Sequence, residues 1–210
     1  MTKFLVVFDV DSTLINEEAI ELLAERAGTR EQVAAVTERA MRGELDFAQS
    51  LIERVATLAG LPESILSEVS QELTPTKGAK ELIEAIHERG GKAVAVSGGF
   101  IQLLGPVKEK LSFDLERANT LEIQDGKLTG KVVGKIIDRQ AKADALVEWA
   151  QNFEVALSDT IAVGDGANDL GMMEVAGLSV AFCAKPVVQE KAKIALNERD
   201  LAKLIELLPA

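Results

Sequence analysis

The sequence contains one cysteine, one histidine and no tyrosine. Its lone cysteine, Cys183, cannot form an intramolecular disulfide, which fits a reducing compartment, and its setting in SVAFCAKP favours apolar packing over a nucleophilic role. The lone histidine, His87, lies near the end of a predicted helix and is interpreted as an exposed surface residue. With so few nitrogen and sulfur ligands, a zinc centre is disfavoured relative to oxygen-based chemistry.

Basic clusters and long apolar runs are also missing. The net charge is −11, from 34 acidic and 23 basic residues, and no group of lysines and arginines matches a nucleic-acid backbone or an anionic membrane. No apolar run approaches the ~20 residues of a membrane helix, and the apolar run before Asp9 is too short for a signal-peptide core. We therefore expect a cytoplasmic protein, a monomer or homodimer, that acts on a small molecule and binds neither nucleic acid nor membrane.

Four short apolar runs, rich in β-branched residues, alternate with longer stretches of helical spacing. They are FLVVFDV, KAVAVSG, TIAVGDG and LSVAFCA. Strands that alternate with helices predict an α/β fold with a parallel sheet. Three of the runs end in Asp, Ser or Gly. Because ligands bind beyond the carboxyl ends of parallel strands, these polar residues predict one shared crevice.

Between residues 15 and 74 no strand pattern appears. Four segments with helical periodicity, separated by Gly or Pro, predict an all-helical insertion after the first strand. Its place directly after two aspartates predicts a lid above the crevice. Farther along, LEIQDGKLTGKVV carries the Asp-Gly signal of a β-hairpin. We expect a core domain of residues 1–14 and 75–210 and a helical cap domain of residues 15–74.

The run FLVVFDVDST places two carboxylates, Asp9 and Asp11, two residues apart at the end of the first strand. Side chains alternate along a strand with a rise of about 3.3 Å per residue, so both acids face the same way, roughly 7 Å apart at their Cα atoms. Two negative charges this close require a cation or a shared proton. The pattern does not match a calcium loop, and a solvent-facing loop is the alternative to a functional one.

Two further motifs follow predicted strands. In VAVSGGF, Ser97 precedes two glycines that we expect to open the next helix. A hydroxyl and glycine amides there would bind an anion, and a tight turn that needs positive φ is the alternative. In IAVGDGANDLGMM, Asp165, Asn168 and Asp169 fall within five residues. Such acid density is costly without a cation, and oxygen ligands favour magnesium over zinc, with a solvated turn as the alternative.

A carboxylate nucleophile, a phosphate-binding loop and a metal site are the parts of a phosphoryl-transfer centre. DVDST, SGG, Lys142 and GDGAND, in this order and spacing, resemble the haloacid dehalogenase superfamily of phosphatases over the whole chain. From spacing alone, Lys142 is indistinguishable from the other lysines. The resemblance implies a Rossmann-like parallel-sheet core with an inserted helical-bundle cap and a small β-hairpin excursion.

More narrowly, DSTLINEEAIELLA, VSGGF and AVGDGANDLGMM are similar to superfamily members that hydrolyse O-phospho-L-serine with Mg²⁺, the last step of serine biosynthesis. This implies that Asp9 attacks phosphorus to form an aspartyl phosphate, while Asp11 serves as general acid and then general base. The implied metal ligands are Asp9, the Asp11 backbone carbonyl and Asp165, with support from Asp169. The implied phosphate-binding residues are Ser97, Gly98 and Lys142, with Asn168 to orient the phosphate.

The amino acid part of the substrate would contact Glu18 and Arg54, which match a cap glutamate and arginine of the family. Arg54 is also supported by spacing, because it lies with Phe47, Leu51 and Leu58 on one apolar helical stripe, where a charge needs a carboxylate partner. Glu18 is ambiguous, because the helix dipole favours acids in a first turn anyway.

Three alternatives share parts of this pattern. A phosphotransferase that passes the phosphoryl group from phosphoserine to homoserine, or a phosphatase for another small metabolite, would carry the same motifs. A phospho-acceptor signalling domain also joins an aspartate, a hydroxyl and a lysine around magnesium. Such a domain needs neither a cap of this size nor an acid two residues after its phosphorylated aspartate, and is therefore disfavoured.

Overall fold

The computed structural model describes residues 2–41 and 44–210, and seven strands of these residues form one sheet. The strands are β1 (Leu5–Phe8), β2 (Lys92–Phe100), β3 (Leu115–Gln124), β4 (Lys127–Val133), β5 (Thr160–Gly164), β6 (Leu178–Phe182) and β7 (Ile194–Leu196). Their order is β4-β3-β2-β1-β5-β6-β7, and every neighbouring pair except β3 and β4 is parallel. The predicted α/β fold is thus confirmed, although the sequence pattern did not predict β7.

Helices connect the strands. Between β1 and β2 lie α1 (Ala19–Ala27), α2 (Arg30–Met41), α3 (Phe47–Ala56), α4 (Ser64–Glu72) and α5 (Ala79–Glu88). The later helices are α6 (Gly105–Leu111), α7 (Arg139–Asn152), α8 (Leu170–Val175) and α9 (Pro186–Gln189). The four predicted helical segments between residues 15 and 74 are therefore present as α1–α4. In the described part of the chain, no helix is both long and apolar enough to cross a membrane.

Side chains of β1 alternate between two apolar layers, one on each face of the sheet. Leu5 and Val7 pack in the layer that contains α7 and α8, whereas Val6 and Phe8 pack in the layer that contains α5 and α6. A strand covered on both faces is apolar at every position, which explains why FLVVF is a continuous apolar run.

The predicted hairpin joins β3 and β4, which pair antiparallel. The two residues between these strands, Asp125 and Gly126, have φ of 51° and 72°. Positive φ at both positions is typical of two-residue hairpin turns, whose twist matches that of the flanking strands.

The chain leaves the sheet for α1 and returns from α4 at the same place. Ile15 and Pro75 pair as an antiparallel bridge. Beside them, the Asn16 backbone amide donates to the Thr74 carbonyl at 3.0 Å, and Asn16 Nδ2 donates to Thr74 Oγ1 at 3.0 Å. Arg199 Nε donates to Asn16 Oδ1 at 3.0 Å, so a segment near the C-terminus closes the same junction.

The strand β2 bulges near its carboxyl end. Its pairing with β3 jumps from Val96–Arg117 to Phe100–Asn119, so residues 97–99 have a single residue opposite them. The expectation that the two glycines of this range open a helix is wrong, because they lie inside β2 and a short 3₁₀ turn precedes α6. Such an irregularity interrupts the ladder and can redirect the side chains of the bulged strand.

Candidate active site

A cavity of about 580 Å³ lies between the carboxyl ends of β1, β2 and β5 and the helices α1–α3. Phe8, the last residue of β1, pairs with Ala95 of β2 and Val163 of β5, so the residues that follow these strands converge. The predicted site residues on the cavity wall are Asp9, Asp11, Glu18, Arg54, Ser97, Gly98, Asp165 and Asn168. The structure therefore brings eight of the ten together around one space.

Asp9 follows β1 in extended conformation and is 5% exposed. Its amide donates to the Val163 carbonyl at 2.9 Å, which fixes the backbone to β5. Its Oδ1 accepts from the Val10 amide at 2.8 Å and from Lys142 Nζ at 2.6 Å. Burial and the charge of Asp169 raise the pKa of Asp9 above its usual range, while Lys142 opposes that rise.

Lys142 and Asp169 lie directly behind Asp9, and neither side chain is exposed. Lys142 projects from the first turn of α7, and its Nζ lies 2.6 Å from Asp169 Oδ1. Burial alone would lower the pKa of this lysine, but the charges of Asp169 and Asp9 raise it above its ordinary value. A buried ammonium between two carboxylates is a paired charge, which sequence spacing alone did not reveal.

Three carboxylates form a cluster able to hold a metal ion. Oxygens of Asp9, Asp165 and Asp169 lie within 4.8 Å of one another. Both carboxylate oxygens of Asp169 already accept hydrogen bonds. Oδ2 accepts from the amides of Asp165 and Gly166 at 3.1 and 2.9 Å, and Oδ1 accepts from Lys142 Nζ. Its oxygens are therefore engaged within the protein, and Asp9 and Asp165 are the freer ligands.

The donor chemistry of this cluster fits a hard divalent cation. Every donor is a carboxylate oxygen, with no sulfur or imidazole nitrogen in the group. Burial, together with the charges of Asp169 and Glu18, raises the pKa of Asp165 to about 7. Such crowding of acids disfavours their ionised forms unless positive charge is added.

Asp11 lines the cavity, but its side chain is not part of the carboxylate cluster that Asp9, Asp165 and Asp169 form. Its own φ of −61° and ψ of 133° are extended, but β1 ends at Phe8 and Asp11 lies in the short irregular turn Val10–Leu14, so the strand alternation predicted for the two acids does not reach Asp11. Burial, and then the charge of Glu18, raises the pKa of Asp11 to about 7, although the Ala19 amide donates to its Oδ2 at 3.4 Å. The two acids thus occupy different environments, one beside an ammonium and one beside a further carboxylate.

The bulge of β2 presents Ser97 and Gly98 to the cavity. Ser97 Oγ accepts a hydrogen bond from the Gly99 amide at 2.7 Å. A Cβ atom at Gly98 would lie 2.8 Å from Phe47 Cζ, and one at Gly99 would lie 3.1 Å from Asp11 Oδ2. Neither glycine has positive φ, so the constraint at both positions is the close approach of these side chains and not the backbone conformation.

Glu18 and Arg54 line the cavity on the side of the helices α1–α3. Glu18 precedes α1 and accepts a hydrogen bond from Ser12 Oγ at 2.6 Å. Arg54 Nε donates to the Ser50 carbonyl at 3.2 Å. Burial lowers the pKa of Arg54, although the charges of Glu18 and Asp11 oppose this. Among the described residues Arg54 has no ion pair, so its guanidinium is available to an anion in the cavity.

Sequence reasoning did not single out two basic residues that also line the cavity, Arg139 and Lys185. Arg139 begins α7 and pairs with Glu174. Lys185 follows the carboxyl end of β6, and its amide donates to the Asp165 carbonyl at 3.2 Å. The position of Lys185 just beyond a parallel strand was the signal that could have found it.

The sequence matches the family model of haloacid dehalogenase-like hydrolases over residues 6–174, and the chain belongs to this family. A curated relative, the phosphoserine phosphatase of Streptococcus thermophilus, is 52% identical over 206 residues, which cover 98% of this chain and 96% of that protein. The phosphoserine phosphatase of Methanocaldococcus jannaschii is 45% identical over 206 residues, which cover 98% of each. A solved structure of a phosphoserine phosphatase with a phospho-aspartyl intermediate analogue matches with a TM-score of 0.93 and 44% identity over the full length of both chains.

Proposed function

We propose that this chain is a phosphoserine phosphatase that hydrolyses O-phospho-L-serine to L-serine and phosphate, the last step of serine biosynthesis. The observation that carries the proposal is one cavity with Asp9 and Asp11 at the sheet end and Glu18 and Arg54 at the helical end. A phosphate ester that also carries an ammonium and a carboxylate is complementary to both ends. The relatives of this chain bear the same activity in their names.

In the proposed reaction, the Asp9 carboxylate attacks phosphorus and forms an aspartyl phosphate while the serine oxygen leaves. Asp11 donates a proton to that oxygen and then removes one from the water that hydrolyses the intermediate. Both hydrogen bonds to the Asp9 side chain fall on Oδ1, and no described residue donates to Oδ2. Lys142 and the Val10 amide thus fix the orientation of the nucleophile before substrate binds.

We assign Asp9, the Asp11 backbone carbonyl and Asp165 as ligands of Mg²⁺, with Asp169 as a supporting residue that holds Lys142 and the Asp165 amide. When bound, the cation would neutralise charge on the phosphate oxygens and keep Asp9 ionised. Ser97 and Gly98 are proposed to bind the phosphate with Lys142, and Asn168 to orient it. The buried, oxygen-only carboxylate cluster supports the choice of a hard cation.

Glu18 is assigned to the substrate ammonium group and Arg54 to its carboxylate. Arg54 lacks an ion pair with the described residues and is largely removed from solvent. A cation in this setting is stabilised when an anionic ligand binds beside it. We also propose that residues 15–74 form the cap domain and act as the lid of the cavity. The bridge between Ile15 and Pro75 supports that boundary.

The test is an assay of phosphate release from a panel of phosphorylated metabolites with Mg²⁺. We expect O-phospho-L-serine to have the highest kcat/KM of the panel. A preference for another ester would overturn the assigned substrate and leave the hydrolase chemistry. Adding homoserine separates hydrolysis from phosphotransfer, because only a transferase would convert it to phosphohomoserine. A stable phosphoprotein without turnover would favour a signalling domain instead.

We further propose a cytoplasmic location, in which Cys183 would remain reduced, and a monomeric or homodimeric enzyme that binds no nucleic acid. Light scattering at several protein concentrations tests the oligomeric state. A larger assembly would contradict this part of the proposal.

A further inference from the structure

Asn119 of β3 is a buried polar residue opposite the bulge of β2, and it is 1% exposed. Its Nδ2 donates to the Gly98 carbonyl at 2.8 Å, and its Oδ1 accepts from the Ile137 amide at 2.8 Å. A carbonyl can only accept and an amide N–H can only donate, so the two partners fix which end of the Asn119 side chain faces which. Both ends of this buried group are therefore satisfied.

The first of these bonds orients the peptide group between Gly98 and Gly99. In a trans peptide the carbonyl and the N–H point in opposite directions. The Gly98 carbonyl points to Asn119, and the Gly99 N–H donates to Ser97 Oγ at 2.7 Å. Because the Gly99 N–H occupies an acceptor position of the hydroxyl, the Ser97 O–H remains free to donate to a ligand.

The second bond reaches the helix that carries Lys142. Ile137 immediately precedes Asp138, whose side chain caps α7 by accepting from the Ala141 amide at 2.8 Å. Lys142 is the next residue of that helix. The Asn119 side chain thus connects the bulge of β2, which presents Ser97, with the start of α7, which carries Lys142. The connection lies where the strand ladder is interrupted.

We propose that Asn119 is a positioning residue for the phosphate subsite. Its two hydrogen bonds replace ladder bonds that the bulge lacks. They hold the bulge in the shape that directs the Ser97 hydroxyl into the cavity. It touches neither substrate nor metal. This inference rests on the proposed roles of Ser97 and Gly98 in phosphate binding, and it does not depend on which phosphate ester is the substrate.

The test compares Asn119→Leu and Asn119→Asp with a matched control, Gln102→Leu. Leu has a similar size and loses both bonds, whereas Asp keeps an acceptor for Ile137 and places an oxygen against the Gly98 carbonyl. Gln102 makes the same kind of contact to the same strand, because Nε2 donates to the Leu121 carbonyl at 2.7 Å and Oε1 accepts from its amide at 3.2 Å. Gln102 does not line the cavity.

For both Asn119 variants we expect kcat/KM to fall by roughly 10- to 100-fold, the usual effect of a small misplacement of binding groups. The loss should be equal for phosphoserine and p-nitrophenyl phosphate, because the two esters share the phosphoryl group. The inhibition constant of inorganic phosphate should rise in parallel. Gln102→Leu should leave these constants near the wild-type values even if it lowers Tm.

A merely structural role would make Asn119 and Gln102 variants alike, with lower Tm and normal kinetics of the folded enzyme, and that result would overturn the inference. If Asn119→Leu does not fold, Asn119→Asp decides by the same comparison. A wild-type enzyme active on p-nitrophenyl phosphate but not on phosphoserine would refute only the assigned substrate. If the wild-type enzyme were inactive on both esters, the assignment of the phosphate subsite would be wrong, and this inference would be wrong with it.

Discussion

The ammonium group of Lys142 lies 2.6 Å from Asp9 Oδ1, and the two side chains are 0% and 7% exposed. This contact joins a helix to the end of the central strand. It also makes the carboxylate dependent on a residue that is far away in sequence. Breaking a buried pair leaves an uncompensated charge, so substitutions here must preserve an acceptor for the lysine.

Asp9→Asn should abolish turnover and preserve the fold. The amide oxygen still accepts from Lys142, which also keeps its contact with Asp169, but an amide cannot act as the nucleophile. Phosphate release from phosphoserine measures the loss of turnover, and the circular dichroism spectrum shows whether the fold is preserved. Turnover near the wild-type rate in a normally folded variant would falsify the assignment of Asp9.

Asp11→Asn should lower kcat by roughly 10²- to 10⁴-fold, the usual contribution of a general acid or base. The Asp11 side chain lies outside the carboxylate cluster, so the variant should still bind Mg²⁺ in a thermal-shift titration. Single-turnover kinetics would show whether the first or the second proton transfer is slowed. Unchanged kcat would mean that another group transfers the proton.

Removal of the metal should stop the reaction. EDTA should abolish phosphate release, and Mg²⁺ should restore it. Ca²⁺ should not, because its larger coordination number can draw both oxygens of Asp9 into coordination. Full activity with Ca²⁺ as the sole divalent cation would contradict the proposed use of the carboxylate cluster.

Arg54→Ala and Glu18→Ala should each weaken phosphoserine turnover by about 2–5 kcal/mol in transition-state stabilisation, as the loss of one partner of a desolvated charge pair does. Hydrolysis of p-nitrophenyl phosphate should hardly change, because this ester has neither an ammonium nor a carboxylate. Measured kcat/KM for both esters on both variants checks the contrast. Equal losses on the two esters would indicate general damage to the helices α1 and α3.

Stability should depend on pH through Asp114, whose carboxylate lies 2.5 Å from Lys92 Nζ and 2.9 Å from both His87 Nε2 and the Ala93 amide. Burial alone would raise the pKa of Asp114, but these hydrogen bonds lower it below its ordinary value of 3.8. A lowered pKa stabilises the fold above the unfolded value, and this contribution is lost as pH falls through the folded value.

Asp114→Asn should therefore reduce the free energy of unfolding at neutral pH by on the order of 1 kcal/mol. The gap to the wild type should shrink as the pH falls below about 4. Urea unfolding of both proteins at neutral and acidic pH checks this trend. A gap that does not change with pH would show that the charge of Asp114 contributes nothing.

The sequence predicted those features of the fold that depend on residues close together in the chain. The apolar run predicted a strand directly before Asp9, and the Asp-Gly pair predicted the hairpin, because both effects arise within a few residues. The burial of Lys142 was not predictable from spacing, because it depends on Asp169 and Asp9, which contact it only after the chain has folded.

One error and one omission have the same physical origin. The glycines after Ser97 have the composition of a helix start, but tertiary contacts hold them in a strand bulge, where Phe47 lies close to Gly98 and Asp11 lies close to Gly99. Asn119 has no motif around it, and its importance arises from partners on β2 and before α7. Long-range contacts of this kind cannot be inferred from local patterning.

The bridge between Ile15 and Pro75 has a consequence for evolution and engineering. The two ends of residues 16–74 meet at this bridge, but the segment is also bonded to the sheet elsewhere, because the Gly60 amide donates to the Leu128 carbonyl at 2.8 Å and Pro62 forms a bridge with Lys127. Insertions at such a junction impose little strain on the host fold. A segment exchanged for this one would still have to replace its contacts with β4 as well as close the same two ends.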